Sequence, residues 1–130
     1  MEINWLAVVA AAASSFLLGG LWYSALFAKP WARAAGLTDA QLKNSNMGLI
    51  FGGSFVLALI ASASFAVFLG PDVDASTGAL YGLTAGLCWV TASFGINYLF
   101  ERKNLTLFLI NGGYHTLQFT LIGLILGAWR

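Results

Sequence analysis

The chain has 130 residues, of which 59% are apolar and only 8% are charged, and its formal net charge is +1. A soluble domain carries roughly 25% charged residues, so this composition excludes an ordinary soluble protein, and the small net charge excludes the basic surface of a nucleic-acid-binding protein. Cys88 is the only cysteine, which excludes an intrachain disulfide and a thiolate metal site. We expect one integral-membrane domain over residues 1–130, with the lipid bilayer as its partner and no nucleic acid.

Four long apolar runs carry the fold prediction, and none of them contains a Lys, Arg, Asp or Glu. They cover residues 4–27, 47–69, 78–100 and 105–128. At ~1.5 Å of rise per residue, each run is long enough as a helix to cross ~30 Å of hydrocarbon. The first run lacks the basic start of a signal peptide, so we interpret it as an uncleaved helix. The sequence therefore predicts an all-α integral membrane protein, a bundle of four transmembrane helices.

The first connection, residues 28–46, is the longest. Pro30 is expected to end the first helix, because the residue before a proline resists helical geometry. Thr38 and Gln41 match the capping-box pattern, which predicts a short surface helix near residues 38–45.

The other two connections are short. The second is acidic and turn-rich, and Asp74, Ser76 or Thr77 is expected to cap the third helix. The third contains only residues 101–104, so the last two helices are expected to form an antiparallel hairpin, with Asn104 as the N-cap.

The distribution of basic residues predicts the orientation. The first and third connections contain five basic residues, Lys29, Arg33, Lys43, Arg102 and Lys103, whereas the opposite side has only Arg130. Cytoplasmic loops are enriched in Lys and Arg. We therefore expect loops 28–46 and 101–104 in the cytoplasm and both termini outside.

Small residues recur at four-residue spacing in all four runs. Such faces let helix backbones approach closely in a membrane, although glycine is also common in membrane helices generally. The glycines expected at packing surfaces, within the bundle or between protomers, are Gly19, Gly48, Gly52, Gly82, Gly86, Gly123 and Gly127. Trp89, near the middle of the third run, is expected to pack against such a face.

The last run carries a polar stripe formed by Asn111, His115 and Gln118, which are spaced i, i+4 and i+7 and share one helix face. Lipid cannot satisfy their hydrogen bonds, so the stripe must face protein or water. Asn97, at a similar depth on the preceding helix, is expected to contact Asn111. Tyr23 is expected to join them, together with Ser24 and Tyr98. We interpret this group first as a polar latch that fixes helix register.

His115, the only histidine, lies deeper than this latch. A structural hydrogen bond is the default interpretation. The alternatives are proton or substrate transfer, since histidine titrates near neutral pH, and axial ligation of haem or a pigment. No carboxylate lies in a span to orient the imidazole as in a catalytic triad. We therefore expect no enzymatic activity, no metal site and, apart from that haem or pigment alternative, no cofactor.

Several motifs in the same order resemble the DUF1761 family. They are Asn4-Trp5, Gly20-Leu-Trp-Tyr-Ser24, Trp31, Asn97-Tyr-Leu-Phe-Glu101, Leu107-Phe-Leu-Ile-Asn111 and Gly113-Tyr-His115. Ala25 departs from the pattern, where a proline is expected. The resemblance covers nearly the whole chain and implies a small bacterial membrane protein with four helices, hence an inner-membrane location. It implies no activity, because the function of the family is unknown.

Three functional hypotheses follow from these features. The first is a non-enzymatic membrane protein that acts through helix packing, as a homo-oligomer or as an accessory subunit of a larger complex. The alternative is a small transporter or ligand-binding protein with its site at Asn97, Asn111, His115 and Gln118, and haem or pigment binding through His115 is a third.

Overall fold

The computed structural model describes residues 3–129, and every regular element in that range is a helix. In chain order the elements are α1 (Trp5–Gly20), a π-helical segment (Leu21–Leu26), α2 (Ala28–Ala35), α3 (Asp39–Lys43), α4 (Met47–Leu69), α5 (Ala75–Thr84), a second π-helical segment (Ala85–Thr91), α6 (Ala92–Glu101) and α7 (Leu105–Ala128). The predicted all-α fold is confirmed, and so is the short helix in the first connection.

Three helices are long and apolar enough to cross a membrane: Trp5–Leu26, Met47–Leu69 and Ala75–Glu101. α7 has 24 residues but does not belong to this set, because its polar stripe lowers its mean hydropathy. Three of the four predicted spans therefore have the required length and composition. The fourth stays a prediction.

Each of the four long helices begins after a side chain that caps it. Asn or Asp accepts a hydrogen bond from the backbone N–H three residues later, in the pairs Asn4–Ala7, Asn46–Leu49, Asp74–Thr77 and Asn104–Leu107. Such caps satisfy one of the four N–H groups that have no acceptor inside the helix. Asp74 and Asn104 are among the predicted caps. The pKa of the Asp74 carboxyl is lower than its ordinary value, chiefly because the Thr77 N–H donates a hydrogen bond to it.

Pro30 begins a helix rather than ending one. The first long helix ends at Leu26, and α2 starts at Ala28 with Pro30 in its first turn. A proline is tolerated there because the N–H groups of the first turn have no helical acceptor in any case. The predicted role of Pro30 was therefore wrong. The Thr38–Gln41 capping box of α3 is present, with hydrogen bonds of 2.9 and 3.2 Å.

α7 lies at the centre of the bundle and packs against α1 and the long helix from Ala75 to Glu101. Small residues of α1 let α4 and α7 approach closely, and the apolar core between these helices contains Ala7, Val8, Ala11, Phe65, Leu69, Ile122 and Leu126. The outer side of α4 is largely apolar and exposed. The bundle thus has α7, the helix with the polar stripe, inside and the exposed apolar side of α4 outside.

The tightest packing occurs where α5 and the π-helical segment after it cross α7. A Cβ atom added at Gly82 would overlap the carbonyl oxygen of Phe119, and one at Gly86 would lie 2.7 Å from the His115 carbonyl oxygen. Backbone lies against backbone along this crossing, so only glycine fits. The other glycines in this contact are Gly78, Gly123 and Gly127.

Candidate functional site

The deep part of the polar stripe is bonded to α1. The Gln118 amide nitrogen donates to Ser15 Oγ at 2.6 Å, and Tyr114 donates its hydroxyl proton to the Ser15 backbone carbonyl at 3.0 Å. Ser15 is fully buried and Gln118 is 7% exposed. This pair joins α1 to α7 inside the bundle.

His115 is tied to the same group. Its Nδ1 lies 2.7 Å from the Gln118 amide oxygen. Since that oxygen only accepts, Nδ1 carries the proton and the neutral ring keeps a lone pair on Nε2. The ring stacks on Phe94 of α6 with centroids 5.0 Å apart, and Tyr114 packs against it edge-on at 4.9 Å. Nε2 makes no hydrogen bond to any residue from 3 to 129.

Asn111 forms a second junction nearer the α6–α7 connection. Its amide nitrogen donates to the Tyr98 hydroxyl at 2.8 Å, and its amide oxygen accepts from the Tyr23 hydroxyl at 2.6 Å. Asn111 therefore links both neighbouring helices. The Tyr23 ring packs edge-on against Tyr114 at 5.4 Å, which connects this junction to the deeper group.

Asn97 does not join this network. It is exposed and lines a shallow surface groove with Ser93 and Phe94, whereas Tyr98, the next residue, reaches Asn111. The short hairpin sets the depth of residues on α6 and α7 but not the rotation of each helix. Successive residues point about 100° apart around a helix at 3.6 residues per turn. The sequence therefore predicted Asn97 as the partner of Asn111, whereas the actual partner is the next residue, Tyr98.

Trp89 also lies elsewhere than expected. It is 55% exposed and contacts Phe68 of α4 with ring centroids 5.9 Å apart. α7 already occupies the glycine face of this helix at Gly82 and Gly86. The indole therefore lies on the outer surface.

Sequence reasoning missed several residues whose partners are backbone carbonyls. Trp22 donates to the Ile110 carbonyl at 2.8 Å, and Thr91 donates to the Gly112 carbonyl at 3.0 Å. A threonine hydroxyl inside a helix usually bonds within its own helix, so the sequence position of Thr91 gave no signal of a bond to α7. Ser15 was visible only as a member of a small-residue series.

The chemistry open to this site is narrow. Within residues 3–129, no three His, Cys, Asp or Glu residues are grouped to hold a metal ion. A haem or pigment would have to be ligated by Nε2 of His115, because Nδ1 is engaged by Gln118. The same lone pair can accept a proton or a hydrogen bond from a ligand. All other members of the network are neutral groups that bind helices together.

The fold and site define a helical protein with helices suited to a membrane and a polar network at its centre. A model of the family described as "Protein of unknown function (DUF1761)" matches residues 6–127, and the chain belongs to this family. The resemblance indicated by the sequence motifs is thus confirmed. No curated protein and no solved structure matches the chain.

Proposed function

We propose that the chain is a small, non-enzymatic integral membrane protein that acts by assembling with a second copy of itself through α4. One observation carries this proposal: Gly48 and Gly52, one turn apart on α4, face open space. A Cβ atom added at Gly52 would have no neighbour within 4 Å, and one at Gly48 would meet only the Asn46 side chain at 3.6 Å.

The other glycines named from the sequence have partners inside the chain. The tight crossing with α7 contains Gly82, Gly86, Gly123 and Gly127. Gly19 lies against the Tyr114 ring. They are therefore not available to a second protein. If helix packing between molecules is the function, the open glycines of α4 are the remaining surface for it.

A second copy suits this surface. Large exposed side chains flank the two glycines, with Leu49 70%, Val56 54% and Ile60 59% exposed. Small residues at four-residue spacing beside such ridges allow two helices to make close van der Waals contact in lipid, where hydrophobic drive is weak. Contact between this face and the same face of a second copy would have a twofold axis, the symmetry of most dimers.

We further propose that the chain crosses the membrane four times, with both termini on the same side. α7 runs antiparallel to α1, and Asn4 donates to the Trp129 carbonyl at 3.3 Å, which brings the two ends of the chain together. The five basic residues of loops 28–46 and 101–104 support a cytoplasmic location for these loops in a bacterial inner membrane. Arg130 and Glu2, which also enter the charge count, lie outside the described residues. A reporter fused after Arg130 should read outside; a cytoplasmic signal would contradict this topology.

A ligand or proton site at His115 is the second candidate function, and the unpartnered Nε2 favours it. An ionisable side chain at membrane depth is commonly functional. His115→Ala should then abolish a transport phenotype while the protein stays folded. For haem, an oxidised-minus-reduced spectrum of native material should show a Soret band; without one, haem is excluded.

Co-purification of two differently tagged copies tests the assembly proposal. Both copies are expressed together and extracted in mild detergent, and we expect each tag to recover the other. Gly52→Leu should abolish this recovery, whereas Ala92→Leu, at an exposed position of α6, should not affect it. Folded protein whose tags do not recover each other, or recovery of a different membrane protein instead, would overturn assembly between copies.

A further inference from the structure

Four exposed basic side chains lie at the end of the bundle formed by α2 and the α6–α7 connection: Lys29, Arg33, Arg102 and Lys103. We propose that this basic cluster binds the phosphate headgroup of an anionic phospholipid. The inference rests on the proposed membrane location but not on assembly through α4.

The two basic side chains of α2 lie on its exposed side. Lys29 and Arg33 are one turn apart, so they share a helix face, and both are exposed. Trp31, Ala32 and Ala35 are half-buried, and Trp31 packs edge-on against Tyr23 with centroids 5.4 Å apart. The apolar side of α2 is thus held on the bundle while the two cations are free to contact a ligand.

A hydrogen bond joins the two basic segments. The Asn104 amide nitrogen donates to the Ala34 carbonyl at 2.9 Å. Ala34 follows Arg33 and Asn104 follows Lys103, so this bond holds the two basic segments next to each other. The connection is itself fixed, because the Lys103 N–H donates to the Tyr98 carbonyl at 2.9 Å.

The four cations form no ion pair with another side chain in residues 3–129. Glu101 is the carboxylate beside them in sequence, and Asp39 lies on α3; both are exposed. Positive charge is therefore in excess and uncompensated. Arginine binds phosphate oxygens through two parallel hydrogen bonds, and lysine adds a point charge.

The position of the cluster favours a lipid as the source of the phosphate. It lies where the apolar helices Trp5–Leu26 and Ala75–Glu101 end, which is the depth of lipid headgroups. Trp31 beside it is of the residue type enriched at that depth. Basic segments next to membrane helices attract anionic lipids.

Lipid binding to the intact, detergent-purified protein tests the proposal. Native mass spectrometry would count bound phosphatidylglycerol and phosphatidylcholine of the same acyl chains, and inorganic phosphate would serve as the soluble source. We expect phosphatidylglycerol to bind and raise Tm, and the other two to do neither. The double variant Arg33→Ala/Lys103→Ala should bind phosphatidylglycerol about thirtyfold more weakly.

The matched control is Lys43→Ala on α3, outside the cluster, which should bind like the wild type. Equal binding of both lipids, or undiminished binding by the double variant, would overturn the proposal. If inorganic phosphate raises Tm as much as phosphatidylglycerol does, the cluster is an anion site that does not require lipid. That result would also overturn the proposal. Tag co-purification reports separately on assembly, so the two failures are distinguishable.

Discussion

Gln118 donates a 2.6 Å hydrogen bond to Ser15 Oγ across the contact between α7 and α1, although 103 residues separate them in the chain. Both side chains are buried. The bond helps a helix with a polar stripe to occupy the centre of this bundle, because side chains of neighbouring helices bond Gln118 and Asn111. α7 is thus suited to protein surroundings rather than to lipid.

Removing the Gln118–Ser15 bond should destabilise the bundle. Gln118→Leu should lower the free energy of unfolding by about 0.6–2 kcal/mol, the range for hydrogen bonds between membrane helices. A double-mutant cycle with Ser15→Ala in detergent should show coupling between the two positions. Ser14→Ala is the control, because Ser14 bonds the Ala11 carbonyl of its own helix. Equal coupling for both serines would contradict the assigned bond.

The two amides near the α6–α7 hairpin should behave differently. Asn111→Ala removes hydrogen bonds to both Tyr23 and Tyr98, so we expect it to lower Tm by several degrees. Asn97→Ala changes an exposed side chain and should leave Tm nearly unchanged. Thermal unfolding of the two variants side by side checks this. A larger loss for Asn97→Ala would restore the contact that the sequence suggested.

A single methyl group should distinguish the crossing of α5 and α7 from the open side of α4. Gly82→Ala forces the new Cβ atom against the Phe119 carbonyl, and we expect a cost of about 1–3 kcal/mol in unfolding free energy. Gly53→Ala has no neighbour within 4 Å and should be neutral or slightly stabilising. Unfolding in denaturant gives both values. A neutral Gly82→Ala would mean that these helices are further apart.

The cap of α5 should make stability sensitive to acid. Hydrogen bonds from the Thr77 N–H and the Ser76 hydroxyl hold the pKa of Asp74 below its ordinary value of 3.8. The folded state therefore favours the carboxylate. The contribution of the Asp74 carboxylate to stability is complete when the pH is above the ordinary pKa. It is lost as the pH falls through the lower pKa of the folded state.

Tm measured as a function of pH checks this. Asp74→Asn keeps an oxygen acceptor without a titrating proton, so the Tm of this variant should fall less steeply in acid than that of the wild type. An unchanged acid slope for Asp74→Asn would show that the cap makes no contribution there.

Helix ends were predictable where a capping side chain and a charge-poor run coincide. The expected bounds 47–69 and 105–128 agree with α4 and α7, which Asn46 and Asn104 cap. The first and third helices differ by one to three residues at their ends, and the third begins directly after Asp74, one of the three caps expected for it. Local sequence therefore determines most of this fold.

The contacts of the site depend on helix rotation, which local sequence does not reveal. The π-helical segment Leu21–Leu26 contains Trp22 and Tyr23, and both reach α7. A π-helical turn changes the direction of the side chains around it, so a pattern based on regular α-helices does not place them. The stripe on α7 was identifiable from spacing, and Tyr98 was expected near Asn111. Ser15 and Phe94 emerged as partners of the stripe only from the packed bundle.

Disulfide cross-linking in native membranes tests assembly through α4 most directly. In a Cys88→Ser background, Gly52→Cys places the single thiol at the proposed contact, and Ile96→Cys places it on α6, where the native side chain is 58% exposed. We predict that mild oxidation converts the Gly52→Cys protein to a covalent dimer and leaves the Ile96→Cys protein monomeric. A Gly52→Cys protein that stays monomeric, or equal dimer formation from both positions, would contradict the account.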